Sequence, residues 1–419
     1  MTRRLLILCA ACSGLAVMPA LADDYPQWRG PNRDGVSKEK GLLQQWPAGG
    51  PKLAWKATSL GNGYSTPSIA KGQVYLISTT DERTEQVVAL NEKDGKQLWS
   101  TNIGRVGPNT GPQYPGPRST PTVDGERLYA LRSNGELACL DIKGQVLWKK
   151  SLRSDFGGKP GAWAYAESPL VDGDVVVCTP GGSKATLVAL NKTDGKVVWR
   201  SAVPGGDASA YASVVGEVGG IRQYIQFLGK GVVGVDAKTG RFLWRYSKTS
   251  NGSTNIPTPI VHDNTVFSTA QKTGAGVAKL TAEGQNVTAT SGYFVPKLKT
   301  HIGGVVLVDG YVYGANDTSL LCLDFKTGAI KWEDRCVGKG SICYADGCLD
   351  VRAEKTGTVA LVERHSPQVH GCWVPHSGMR AGVKVATPPA GARSPRVCPG
   401  PTAHPRTRPV LPDFAPFAA

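Results

Sequence analysis

Eight side chains with chemistry to offer sit at or just ahead of short apolar runs: Tyr64, Arg118, Trp163, Tyr165, Glu167, Tyr211, Asn255 and His301. Arg118 can hold an anion, Glu167 and Asn255 carry oxygen donors of the kind hard cations take, and a neutral imidazole at His301 can accept a proton. The four aromatics supply flat surfaces with an apolar body and a polar edge. Each residue also has an ordinary reading. Glu167 and Asn255 can bond strand-end backbone amides, the aromatics can be plain packing, and His301 can be a satisfied polar residue. No catalytic residue and no metal site is assigned, since beyond Cys9 and Cys12 no cysteines form a CxxC pair. Gly229-Lys-Gly-Val-Val-Gly234 matches a nucleotide-binding glycine pattern, but an apolar strand follows it where a helix is required, so it reads as a hairpin turn.

The elements that must position these groups are repeated. Val88–Trp99, Leu187–Trp199, Val233–Trp244 and Leu321–Trp332 align, each passing from an apolar run through an Asp- or Asn-led turn with Gly to a tryptophan. Ala138–Trp148 has a turn one residue shorter, and degenerate copies lie at Val277–Gly284, which lacks its Trp, and at Gly357–Val362. Trp55, Trp99, Trp148, Trp199 and Trp244 stand 44, 49, 51 and 45 residues apart, and Trp332 follows 88 later, two periods on. Ser65–Ile69, Val74–Thr79, Gln86–Leu90 and Lys96–Ser100 are short runs broken by turn residues, the pattern of strands. Four antiparallel strands per roughly 40–45 residues make a propeller blade. The fold expected is therefore all-β, a β-propeller of four-stranded antiparallel blades with seven recognisable repeats and an eighth missing or scrambled. Trp55, Trp99, Trp148, Trp199, Trp244 and Trp332 are expected to project from outermost strands and wedge against the next blade. Lys52–Lys56 reads as an outer strand without a blade of its own, placed to complete the last blade and close the ring.

Residues 1–22 read as a signal peptide: Arg3 and Arg4, an apolar Leu5–Val17 and an Ala20-Leu21-Ala22 cleavage site. General secretion and twin-arginine export both remain open; either way the destination expected is periplasmic or secreted. Residues 23–51 form a lead-in, 52–363 the propeller, and 364–419 a tail holding eleven of the 29 prolines, four of the six histidines and no Ile. Such a tail is expected to form no strands, whether it is a natural disordered extension or the product of a reading-frame disruption. The formal charge is +15, but the tail contributes six Arg and one Lys against a single acid. The remainder lacks the basic stretches interleaved with aromatics of a nucleic-acid groove, so no nucleic-acid partner is expected. No apolar stretch beyond the leader reaches the roughly 18–20 residues of a membrane span. Cys139, Cys178 and Cys322 read as core residues, and Cys343 and Cys348 flank a tight turn where one hairpin disulfide stays open.

The repeat A-x-[DN]-x-x-[TD]-G-[KR]-x-x-W and the opening Asp24-Tyr-Pro-Gln-Trp-Arg-Gly-Pro-Asn-Arg-Asp-Gly-Val-Ser37 resemble the pyrroloquinoline-quinone-like (PQQ-like) propeller superfamily over about Asp24–Glu363. That resemblance implies a fold and two functions. One is the non-catalytic propeller of outer-membrane protein assembly, which implies a protein-binding or scaffold module with envelope proteins or peptides as partners, the chain itself monomeric and without cofactor. The other is a PQQ-dependent alcohol dehydrogenase, or one acting on polyvinyl alcohol, with Arg118, Glu167 and Asn255 as contacts to quinone and Ca²⁺. Its dehydrogenases also carry an Asp base and a vicinal disulfide. Here no two cysteines are adjacent and His301 stands where an acid would be sought. The scaffold is the expectation preferred.

Overall fold

In the computed structural model, which describes residues 24–47, 50–81, 83–108, 116–209, 211, 213–335, 337–364, 369–373 and 384–387, every regular element among those residues is a strand. Seven four-stranded antiparallel sheets follow one another along the chain. Blade 1 is Ser68–Ala70, Gln73–Thr79, Thr84–Asn91 and Gln97–Arg105; blade 2 is Thr122–Asp124, Arg127–Leu131, Glu136–Asp141 and Val146–Ser151. Blade 3 is Leu170–Asp172, Val175–Cys178, Leu187–Asn191 and Val197–Ser201; blade 4 is Ser213–Val218, Ile221–Leu228, Gly231–Asp236 and Phe242–Tyr246. Blade 5 is Ile260–His262, Thr265–Ala270, Gly274–Glu283 and Asn286–Val295; blade 6 is Val305–Val308, Tyr311–Ala315, Leu320–Asp324 and Ile330–Asp334. Blade 7 is Gly340–Ala345, Cys348–Ala353, Val359–Glu363 and Val369–Trp373. The glycine pattern at 229–234 spans the hairpin between Ile221–Leu228 and Gly231–Asp236.

The middle strands read as continuous apolar runs because neighbouring blades cover both their faces. Val87, Val88, Ala89 and Leu90 are all fully buried. One core cluster joins Tyr129, Leu131 and Cys139 of blade 2 to Val176, Cys178 and Val188 of blade 3. Burial between blades is the main source of stability in such an array.

The two halves of the sequence repeat, the glycine turn and the tryptophan, meet at Gly95, Gly144, Gly195 and Gly240, each of which seats the indole of the preceding sheet. In blade 4, Asp236 Oδ1 accepts from the Lys238 and Thr239 amides at 3.0 and 2.7 Å, and the Gly240 N–H closes the turn on Asp236 O at 2.9 Å. Gly240 has φ +75°, a left-handed conformation that glycine adopts without penalty. A Cβ there would lie 2.6 Å from Trp199 of blade 3, so the bare backbone is what seats the indole. The ring nitrogen then donates to Ala237 O at 3.0 Å. Trp99 Nε1 donates in the same way to Ile142 O at 3.0 Å, and Trp148 Nε1 to Lys192 O at 3.3 Å. Trp244 departs from the scheme. Blade 5 has no matching turn, and Trp244 Nε1 bonds Gln223 Oε1 of its own blade at 2.7 Å. Trp332 is half-buried and lies 5.9 Å from the Tyr313 ring of its own blade. The Trp-less blade 5 uses Tyr293, whose ring sits over Gly328 and whose hydroxyl donates to Phe325 O at 2.7 Å.

The tail departs from expectation. Val369–Trp373 pairs with Val359–Glu363 as the fourth strand of blade 7, and Lys384–Thr387 pairs antiparallel with Lys52–Lys56. Both stretches are free of proline and carry β-branched residues, so nothing local forbids a ladder. In the blade 7 register Gly371 stands opposite Leu361, where Trp148 stands opposite Cys139, so the docking position there holds no indole. Lys52–Lys56 consequently belongs to a separate two-stranded sheet and does not complete blade 7. Its Trp55 is seated on Gly95 of blade 1 and donates to Glu92 O at 2.7 Å. The leader, the proposed cleavage site and the rest of the tail lie outside the described residues.

Cys343 lies opposite Asp350, and Cys348 opposite Ala345, so these two are diagonal rather than facing. A same-face diagonal of roughly 7–8 Å exceeds disulfide reach. Cys343 Sγ instead faces Asp350 Oδ2 at 3.9 Å, and Cys348 Sγ faces Gln44 Oε1 at 3.3 Å. No helix among the described residues is long and apolar enough to cross a membrane.

Candidate functional site

The first strand of each blade lines the central axis, and the loops feeding these strands form its mouth. Ser/Thr-rich strand entries tie neighbouring blades together there. Ser65 Oγ donates to Ser119 O at 2.7 Å, the Thr120 N–H donates to Ser168 Oγ at 2.9 Å, and Thr122 Oγ1 donates to Pro169 O at 2.6 Å.

Three of the eight candidates come together. Arg118 is 5% exposed, its guanidinium 5.3 Å above the Tyr64 ring and its Nη1 donating to Gly116 O at 3.0 Å. The Tyr64 N–H donates to Pro117 O at 2.7 Å. Burial pushes the Tyr211 phenol up to about 12 while the nearby Arg118 charge pulls the other way. Burial lowers the Arg118 pKa, against the pull of Tyr64, Tyr211 and Glu85. Glu85 is a buried carboxylate that sequence reasoning missed, and its one signal is an acid at the head of an apolar strand. It accepts from the Ser133 amide at 3.1 Å and from the Ser133 hydroxyl, and burial raises its pKa.

The other candidates are spoken for separately. Glu167 is fully buried and accepts from the Thr179 amide at 2.6 Å, the Thr179 hydroxyl at 2.8 Å and Gln226 Nε2 at 2.7 Å. Burial raises its pKa to about 7 despite those bonds and the neighbouring Arg33. Asn255 braces a loop, donating to Leu228 O at 2.7 Å and accepting from the Asn251 amide at 3.0 Å. Tyr165 is packed in the core between blades 2 and 3, its hydroxyl on Pro180 O at 3.1 Å, so it does not face the mouth. Trp163 is half-buried in a loop closed by the Gly161–Ala164 bridge. His301 is 7% exposed, and its Nδ1 has no hydrogen-bond partner among the described residues. Burial, then the Lys339 charge, hold its pKa down to about 4, so it is a neutral and weak base.

The axis is filled by the lead-in. Tyr25 pairs with Ile69 of blade 1, its N–H 2.7 Å from Ile69 O, and Pro26 O accepts from the Val123 amide of blade 2 at 2.8 Å. Trp28 Nε1 donates to Thr258 Oγ1, next to blade 5, at 2.9 Å. Arg29 Nη2 donates to Val305 O of blade 6 at 2.5 Å, and Arg33 Nη2 to Ser168 O beside blade 3 at 3.0 Å and to Pro169 O. Val36–Ser37 then runs parallel to Tyr344 and Ala345 of blade 7. A segment bonded to the innermost strands or strand entries of six blades can lie only on the axis.

These residues do not fit a quinone and its Ca²⁺. Both Glu167 oxygens are already bonded by protein donors, Asn255 is committed to backbone, and Arg33 enters from the axis beside Glu167. No group of three or more His, Cys, Asp or Glu among the described residues is placed to hold a metal ion. One concave space, of about 490 Å³, lies beside Val36 and Ser37 of the lead-in, against Leu307, Asp309, Tyr344 and Arg364. A cavity of about 540 Å³ between blades 6 and 7 is lined by Asp317, Thr318, Arg335, Gly338, Thr356 and Thr358.

The family model described as "Outer membrane protein assembly factor BamB" matches residues 35–162 and 83–334. The chain is similar to the outer membrane protein assembly factor BamB of Moranella endobia, 26% identical over 239 residues, 56% of each chain. It is also similar to that of Xanthomonas campestris pv. campestris, 32% identical over 119 residues covering 26% of this chain and 25% of that one. It therefore spans about half the length, or less, of the curated relatives it matches. Among solved structures, BamB from Moraxella catarrhalis has a TM-score of 0.54 at 15% identity, covering 77% of this chain and 90% of that one. Saccharomyces cerevisiae Sqt1 also gives 0.54, at 8% identity, with 80% and 96% covered. At such identities the likeness is one of fold alone, whereas the family match runs through most of the repeats. On that ground the chain belongs to the family of BamB-type, PQQ-like repeat propellers.

Proposed function

We propose that this protein is an exported, non-catalytic propeller of the bacterial cell envelope that binds protein partners, in the manner of an assembly scaffold. The observation carrying this reading is the filled axis. The place where a propeller would hold a small-molecule cofactor is occupied by the chain's own backbone and two arginines. A signal-peptide-like leader and relatives described as outer membrane protein assembly factors support the envelope setting.

The outer strands supply a binding surface. Leu98, Leu147 and Val198, each immediately before its docking tryptophan, are 48%, 43% and 52% exposed on the rim. They lie on fourth strands, which form the outer edge of their sheets and leave backbone groups open to an added strand. Synthetic peptides with the alternating apolar and polar residues of membrane-barrel strands, titrated by fluorescence anisotropy, test the proposal. Saturable binding weakened by Leu98→Ser and Leu147→Ser is the expected result. Stoichiometric PQQ binding in the presence of Ca²⁺, with alcohol-dependent dye reduction, would overturn it in favour of a dehydrogenase.

A further inference from the structure

We infer that the axial channel is a peptide-binding site whose occupant is the chain's own segment Asp24–Ser37, a separable clasp with two guanidinium sockets that holds the ring closed. The inference does not rest on the scaffold reading and would stand if the partner proved to be something else.

The sockets are built from backbone. Arg29 donates to Val305 O and, at 3.5 Å, to Gly303 O, and its other contact, Asp34 O at 2.9 Å, folds the segment back on itself. Two glycines make room for it. A Cβ on Gly304 would sit 2.0 Å from Arg29 Nη1, and one on Gly35 would sit 2.6 Å from Nη2. Arg33 meets the carbonyls of Ser168 and Pro169 and, through Nε, Gln27 Oε1 at 2.9 Å, with Glu167 nearby. Both side chains are almost wholly buried, at 5% and 2% exposure. Burying a guanidinium is costly unless its donors are met; here the carbonyls of Val305, Asp34, Ser168 and Pro169 and the Gln27 amide oxygen take charge-assisted bonds from the two groups, and Arg29 Nε alone of the Arg29 nitrogens is buried without a partner among the described residues.

The backbone of the segment points the same way. Arg29 and Arg33 have φ of 61° and 58°, and Gly30 and Gly35 have 84° and 74°. Two arginines in the left-handed region persist only where surrounding contacts over-determine them, so this shape belongs to the bound segment and not to the free chain. The ring has need of a clasp. The sheet of Lys52–Lys56 shows only two strands among the described residues, where every blade has at least four. The segment bridges the inner strands of blades 1 and 7, the first and last of the seven.

Covalent attachment gives the segment a high effective concentration, of order mM, so its affinity has to be read in trans. Gly41 is exposed, with open space around it, and a protease site inserted there allows the folded full-length chain to be nicked behind the segment. The released fragment is expected to co-elute with the propeller. After mild-denaturant washing, fluorescein-labelled synthetic Asp24–Ser37 should rebind saturably. Peptides carrying Arg33→Ala or Arg29→Ala should bind at least tenfold more weakly, and Arg33→Lys, which keeps charge but loses the fork, should also weaken binding. A fragment that elutes apart from an unchanged propeller would overturn the inference, as would rebinding indifferent to both arginines. If the washed propeller unfolds, hydrogen exchange on the uncut chain decides. Arg33→Ala should raise exchange at least tenfold in Thr122–Asp124 and Leu170–Asp172 while leaving Val197–Ser201 unchanged, and equal protection in both variants would sink the proposal.

Discussion

Substituting Gly240 by Ala probes the joint on which the ring depends. At φ +75° an alanine pays the left-handed penalty, about 1–2 kcal/mol. Its Cβ would also stand 2.6 Å and 2.7 Å from Trp199 Cε3 and Cδ2. Relieving such contacts means pushing the indole outward by about 1 Å, an overpacking cost of about 1–3 kcal/mol. That shift also stretches the 3.0 Å bond from Trp199 Nε1 to Ala237 O. Gly240→Ala should therefore destabilise by about 2–5 kcal/mol. Trp199→Ala removes an indole that is 8% exposed and should cost about 3–5 kcal/mol through the cavity left behind. The diagnostic is the double variant. With the indole gone, the steric part of the Gly240→Ala cost vanishes, so the pair should be less destabilised than the sum by about 1–3 kcal/mol. Urea unfolding followed by far-ultraviolet circular dichroism gives the numbers, provided the m-value is the same in all four proteins. Additivity within about 0.5 kcal/mol, or a Gly240→Ala cost no greater than the backbone penalty, would refute the claim that turn and tryptophan form one device.

Two further outcomes are expected. Glu167, raised to about 7 from 4.5, keeps a proton across that window that the unfolded chain has released, so it makes stability fall as pH rises; Glu85, also raised by burial, acts in the same direction. His301, lowered from 6.5 to about 4, stays neutral where the unfolded histidine is charged, so it makes stability rise with pH over that range. The slopes oppose each other in the wild type; His301→Gln should expose the falling one and Glu167→Gln strengthen the rising one, each by about 3 kcal/mol across its window. Identical pH profiles of urea midpoint for all three proteins would show that these groups titrate normally. In blade 5, Tyr293→Phe should cost about 0.5–1.5 kcal/mol by leaving Phe325 O without its hydroxyl donor. Tyr293→Ala should cost more, about 2–4 kcal/mol, and equal midpoints for the two would deny Tyr293 the docking role.

Much was fixed by local pattern. The spacing of Trp99, Trp148 and Trp199 announced the repeat, and the Asp or Asn before each glycine announced its turn, because turn chemistry and strand alternation are written within a few residues. Blade 5 shows where local reading runs out, since Tyr293 replaces a tryptophan nine residues beyond Gly284, the end of the degenerate copy, and only the blade 6 turn at Gly328 reveals its task. The two tail strands were hidden for a related reason. Composition averaged over 364–419 is rich in proline, yet a ladder needs only a few compliant residues and a partner edge. The candidate site was the least legible part. Inner-strand position alone picked out Arg118, Tyr64 and Tyr211, which do meet, but also Tyr165, which the fold turns into the core. Above all, nothing in Asp24–Ser37 reveals by itself that it crosses the axis. Its arginines have meaning only against carbonyls more than a hundred residues away, at Ser168 and Val305, and those are brought together by closing the ring. Sequence determined the unit and its turns through short-range sterics and hydrogen bonding; tertiary structure decided what fills the centre, because that depends on contacts distant along the chain.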